Sequence, residues 1–218
     1  MGRTVAEVMS MDVVTAAAGT SFKELVRLLQ AHRISALPVV DSDAHVLGVV
    51  SEADLTLKEE LPPLMRDPVR HRVLHRGIRP GATRKAAATR AGDLMTSPAV
   101  TVPETATLAA SARVLHSRQV RRAPVVGTDG RLVGIVTRSD LLSPYLTGDR
   151  ELAASIVSEV LDACLGLPWG SVRVEAEEGV VTLTGRMAGR AAARSLVDTV
   201  GRFDGVVDVV DHLTTAER

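Results

Sequence analysis

The sequence predicts an α+β chain: two pseudo-symmetric units of strand-helix-strand-strand-helix order, then a smaller α+β domain. Two observations carry that expectation. The phrase GVVSEADL at residues 48–55 returns as GIVTRSDL at residues 134–141. The same offset of 86 aligns Met9 with Met95, Thr15 with Thr101, the Pro-Val-Val of residues 38–40 with that of 124–126, and Asp43 with Asp129. A register kept without insertion over about 50 residues marks an internal duplication. The second observation is a change of texture after residue 148, where an apolar residue every fourth position (Leu152, Ile156, Val160, Cys164) gives way to alternating runs at 171–176 and 180–186 around Glu177-Glu178-Gly179. That is a helix followed by a hairpin.

In the first copy, Val13-Val14-Thr15 reads as a short strand, and Ser21 with Glu24 forms a capping box that opens a helix with Leu25, Leu28, Leu29 and His32 on its buried stripe. Residues 36–40 and 46–50 are apolar β-branched runs separated by an Asp-rich turn, and Ser51 caps a second helix running toward Glu60. The second copy repeats the order: a strand at 99–101, a helix over 107–117, strands at 124–126 and 132–136 around Thr128-Asp129-Gly130, and a helix from Thr137. One such unit has too small a core to stand alone, so the copies are expected to pack on each other. Between them, residues 66–90 hold eight Lys or Arg against one Asp, with two Pro and two Gly, and read as a basic, partly ordered linker. In the last domain, a helix over 189–200 and a strand at 206–210 complete the reading.

Composition removes whole classes of function. Lys plus Arg and Asp plus Glu each number 26, so no global field draws the chain to nucleic acid or anionic lipid. Aromatics make up only 2%, too few for base-stacking platforms. A single cysteine, Cys164, excludes an internal disulfide and suits a cytoplasmic setting. His71 and His75 have zinc-like spacing but no third ligand beside them, and the chain shows no phosphate-binding glycine loop or nucleophile elbow. The expectation is therefore not an enzyme.

Ser51-Glu52-Ala53-Asp54 and Thr137-Arg138-Ser139-Asp140 each begin a helix directly after an apolar strand. Taken singly, each is a cap: a hydroxyl at the helix start and a carboxylate three residues on satisfy amides that lack partners. The same geometry can serve a ligand, because a helix start favours a phosphate and a nearby carboxylate accepts both hydrogens of a ribose diol. Together with the Thr of the first strand and the Pro-Val-Val strand, this set resembles the CBS domain in its tandem form, the Bateman module. The resemblance covers a first repeat at 1–60 and a second at 92–146, joined by the basic linker at 61–91. It implies an adenosine-containing regulatory ligand, AMP, ADP or ATP, with S-adenosylmethionine or NADH as further possibilities, and a homodimer through the CBS helices. It also implies that Asp54 and Asp140 hold ribose hydroxyls and that Ser51 and Thr137 sit at the phosphate. Thr15 and Thr101 would flank the base with Ala36 before Pro38 and with Arg121, Arg122 and Ala123 before Pro124.

The copies differ in charge. The second has Arg138 where the first has Glu52, and Arg121 and Arg122 where the first has Ser35 and Ala36. A carboxylate beside a phosphate is repulsive and a guanidinium is attractive, so the expectation is that the second copy forms the better phosphate site. Residues 149–215, with the run Glu178-Gly179-Val180-Val181-Thr182-Leu183-Thr184-Gly185 and the later Phe203-Asp204-Gly205-Val206-Val207, resemble the BON domain of bacterial stress and secretory proteins. That family is associated with phospholipid and envelope contacts. Glu151, Glu159, Asp162, Glu175, Glu177 and Glu178 make the first half of this domain acidic, which favours a protein partner over a membrane. The reading is a bacterial cytoplasmic regulator, with nucleic-acid binding through the linker and a membrane or envelope adaptor as the alternatives.

Overall fold

The structure, a computed structural model, describes residues 2–60, 82–162 and 171–215. Most of the linker, including His71 and His75, and also Cys164, lie outside the described residues. The strands are β1 (Ala16–Ala17), β2 (Ala36–Val40), β3 (Val46–Ser51), β4 (Val102–Pro103), β5 (Arg122–Val126), β6 (Leu132–Thr137), β7 (Val172–Glu177), β8 (Val180–Met187) and β9 (Asp208–Thr215). The α-helices are α1 (Phe22–His32), α2 (Glu52–Glu60), α3 (Ala82–Ala87), α4 (Ala91–Leu94), α5 (Leu108–Ser117), α6 (Arg138–Leu141), α7 (Asp149–Ile156) and α8 (Arg190–Val200). The chain divides into two compact units: Met9–Ala106 with Arg113–Thr137, and Met1–Val8 with Thr107–Ala112 and Arg138–Arg218.

The first of these units carries two three-stranded sheets, in the orders β1-β2-β3 and β4-β5-β6. In each, the opening strand runs parallel and the closing strand antiparallel to the middle one. The duplication is therefore a duplication of structure down to the bulge, which falls between Val39 and Val40 in one copy and between Val125 and Val126 in the other. The opening strands lie a few residues later than the sequence suggests, at 16–17 and 102–103, where they pair with β2 and β5. Ser10 pairs with Ile135 and Thr96 with Val49, so the entry segment of each copy hydrogen-bonds the third strand of the other. Gly48 and Gly134 make room for this crossing: a Cβ on Gly48 would lie 2.6 Å from Met95 Sδ and 2.9 Å from Thr96 O, and one on Gly134 would overlap Met9 Sδ.

Helix α1 starts where expected, with the Ser21 hydroxyl accepting from Glu24 N at 3.4 Å. Leu25, Leu29, Leu37, Val39 and Val50 are buried around it, each contributing roughly 1.5–3 kcal/mol by leaving water. His32 does not join that stripe. It is exposed at the last position of the helix, where Arg33 turns left-handed, so it faces solvent rather than the core. Of the described linker residues, Ala82–Ala87 are helical: α3 buries Ala86 completely, and Lys58 Nζ on α2 donates to Ala86 O at 2.8 Å.

In the other unit, β7, β8 and β9 form one sheet with β8 central, β7 antiparallel and β9 parallel to it. Glu178 and Gly179 take positive φ at the tip of the β7–β8 hairpin, and the Asp149 carboxylate receives both of their amides at 3.0 and 2.9 Å. Leu152, Ile156, Val181, Leu183, Leu196 and Val200 form a separate core. The apolar period from Leu152 onward is one continuous α-helix in the sequence reading. In the structure α7 ends at Ile156, and Val157–Asp162 winds as a π-helix. The last strand begins at Asp208 and runs to Thr215, longer than its apolar stretch, because full pairing with β8 extends it through polar residues.

Candidate ligand-binding site

The end of β3 and the start of α2 place Ser51 and Asp54 on the wall of a cavity of about 510 Å³, a volume suited to a nucleotide-sized molecule. Arg121 and Arg122 line the same cavity. Ser35 and Ala36 lie beside Ser51, and Thr96 with Pro98, Ala99 and Val100 supplies an apolar flank from the second copy's entry segment. The crossing described above brings that segment to the first copy's helix start. Every lining residue lies within one compact unit.

The carboxylate half of the cap that the sequence suggests is formed: Asp54 Oδ2 accepts from Ser51 N at 2.9 Å, and the Ser51 hydroxyl donates to that same oxygen at 2.8 Å. The other oxygen, Oδ1, accepts from Lys85 Nζ at 2.5 Å, and the same ammonium donates to Thr96 Oγ1 at 2.9 Å. With side chains 12% and 23% exposed, the Asp54–Lys85 pair is well shielded from water. Arg122 Nη2 donates to Ser35 Oγ at 2.6 Å, which fixes the guanidinium at the cavity wall. Glu52 is exposed among the lining residues, so three cations (Lys85, Arg121, Arg122) stand near two carboxylates.

The allocation of charge between the copies differs from the sequence expectation. Arg121 and Arg122, read as part of the Thr137–Asp140 phosphate site, line the cavity of Ser51 and Asp54 because the copies interleave, while Arg122 also pairs with Thr137 across the β5–β6 ladder. The first copy's helix start thus gains the cations its own sequence lacks. Thr137 closes β6 opposite Arg122, and Arg138 and Asp140 lie in α6. Of the other residues singled out, Ala36 lines the cavity, while Thr101 follows its apolar flank without lining it. Pro38, Ala123 and Pro124 are buried in the middle strands, and Thr15 is half-buried just before β1. Lys85, Thr96 and the Pro98–Val100 flank escaped the sequence reading. The signal for the flank was present in the matched Gly48/Gly134 and Met9/Met95 pairs, but their spatial meaning needs the fold.

The CBS-domain family model matches residues 5–58 and 91–146, about half of the chain. The chain belongs to the CBS-domain family. It carries a CBS pair followed by a BON domain, whose family model matches residues 148–217. Among relatives, a CBS domain-containing protein of Arabidopsis thaliana, the chloroplastic CBSX1, is 32% identical over 159 residues, 67% of each chain. A protein of Methanopyrus kandleri, MK0525, is 27% identical over 150 residues, which is 68% of this chain and 66% of that one. A crystal structure of CBSX2 in complex with AMP superposes with a TM-score of 0.56 at 28% identity, over 66% of this chain and 97% of that one. No helix among the described residues is long and apolar enough to cross a membrane.

Proposed function

We propose that this CBS pair is a regulatory module that binds an adenosine-containing ligand of the AMP class in the cavity at Ser51 and Asp54, with the BON domain as its interaction module. The single observation that carries this is the convergence on one nucleotide-sized cavity of a capped helix start, a largely buried carboxylate, a neutral apolar flank and two guanidinium groups. Each part matches a piece of AMP. The start of α2 and the arginines favour the phosphate, Asp54 the ribose hydroxyls, and Pro98, Ala99 and Val100 the face of the base. The similarity to CBSX2, solved with AMP, supports the same ligand class.

In this reading the chain regulates rather than catalyses, in the cytoplasm, as a homodimer paired through the helices of its CBS repeats. Thr137, Arg138 and Asp140 would serve a second, equivalent site. The BON domain would contact a protein partner whose binding depends on occupancy, since a ligand shifts a conformational balance only through unequal affinity for the two states. Calorimetry of the purified chain with AMP, ADP, ATP, S-adenosylmethionine and NADH tests the reading. Saturable binding of at least one of them, abolished by Asp54→Ala with Arg122→Ala, is expected; absence of heat with all five refutes it.

A further inference from the structure

An ionised carboxylate offers about four lone-pair directions to donors. Asp54 already uses three of them: Oδ2 receives the amide and hydroxyl of Ser51, and Oδ1 receives Lys85 Nζ. A ribose cis-diol brings two O–H donors, and a single free lone pair cannot take both. One present partner must leave. The Ser51 amide is fixed by the helix start, and the Ser51 hydroxyl is held within the same turn. Lys85 is the partner with an alternative, because its ammonium already shares Thr96 Oγ1 and its side chain reaches water. The helix that carries it is anchored independently, through buried Ala86 and the bond from Lys58 to the Ala86 carbonyl. The lysine can therefore swing without undocking its backbone.

We propose that Lys85 is a built-in competitor for the ligand's ribose: its ammonium holds the Asp54 oxygen that the diol needs, and ligand binding displaces it. This rests on the ligand site proposed above. Lys85 positions the carboxylate and does not itself touch the base. The only donor that differs between AMP and 2′-deoxyadenosine 5′-monophosphate is the 2′-hydroxyl, so the ratio of their affinities isolates the diol and cancels any effect of Lys85 on the phosphate.

Calorimetry with these two nucleotides on the full chain and on Lys85→Met, Lys85→Gln and Lys85→Arg tests the proposal. Neutral side chains at residue 85 should raise the preference for AMP over its deoxy form about tenfold, the scale of one partly shielded ion pair. Arginine, which keeps the charge, should leave it as in the native chain. If both nucleotides bind but the ratio in Lys85→Met and Lys85→Gln is unchanged or lower, the competition is refuted and the ligand site stands. If neither nucleotide binds the native chain or any variant, the ligand site itself falls and the competition with it. The two neutral variants differ in polarity, so agreement between them separates loss of charge from a packing defect.

Discussion

Replacing Arg122 with alanine removes a guanidinium that lies half-buried on the cavity wall and is oriented by its 2.6 Å bond to Ser35 Oγ. A hydrogen bond to a charged group contributes about 1.5–3 kcal/mol, and the partial exposure of Arg122 places it at the lower end. A loss of about 1.5 kcal/mol corresponds to roughly a tenfold weaker Kd for AMP. Adenosine, which has no phosphate, should bind Arg122→Ala as it binds the native chain. The assay is calorimetry with both compounds at two salt concentrations, and the native chain should show the steeper salt dependence for AMP, because the lost term is electrostatic. Arg122→Lys should fall between, since an ammonium attracts a phosphate but lacks the planar fork. An equal loss for AMP and adenosine would mean that Arg122 only shapes the cavity. No loss for either would mean that the phosphate lies elsewhere, and the assignment of these arginines to the first copy's helix start would fail.

Other outcomes follow from the same geometry. Gly48→Ala should destabilise the CBS pair by about 1–3 kcal/mol in chemical denaturation, because its Cβ would press on Met95 Sδ and the Thr96 carbonyl where the copies cross. Ala44 sits at φ 66°, while its counterpart Gly130 sits at φ 80°, so Ala44→Gly should raise the melting temperature by relieving a left-handed residue; a fall would show that the turn tolerates alanine without strain. The Asp41 carboxyl is held below its ordinary value of 3.8, chiefly by the His45 amide, and that of Glu7 below 4.5, chiefly by the Thr4 amide. Groups with lowered values stabilise the fold above their ordinary range, and that stability is lost as pH falls through the lowered values. Acid titration of stability should therefore show a smaller loss below pH 4 in Asp41→Ala than in the native chain. Neutralising the arginines of the linker should leave AMP binding intact, and a steep salt-sensitive affinity for DNA that vanished in that variant would favour the nucleic-acid reading.

The sequence by itself determined the duplication, the order of elements in each copy and the separate C-terminal domain. These depend on local terms: periodicity, turn residues and caps that act within a few positions of one another. The cap of Asp54 on Ser51 and the hairpin at Glu178-Gly179 were legible for that reason. What only the tertiary structure decided is which copy's residues meet. Arg121 and Arg122 read as neighbours of Thr137 because they precede the same Pro-Val-Val strand, and Arg122 does pair with Thr137, but no local pattern shows that both arginines also line the cavity of Ser51 and Asp54. The pairing of Thr96 with Val49 and of Ser10 with Ile135 moves each entry segment onto the other copy, and no local rule encodes that exchange. The approach of Lys85 to Asp54 is of the same kind, an ion pair across 31 positions made possible by Ala86 burying against α2 rather than by any pattern in the chain. Contacts between segments far apart in sequence are selected by the shape and volume left after the local elements form, and that information resides in the packed structure.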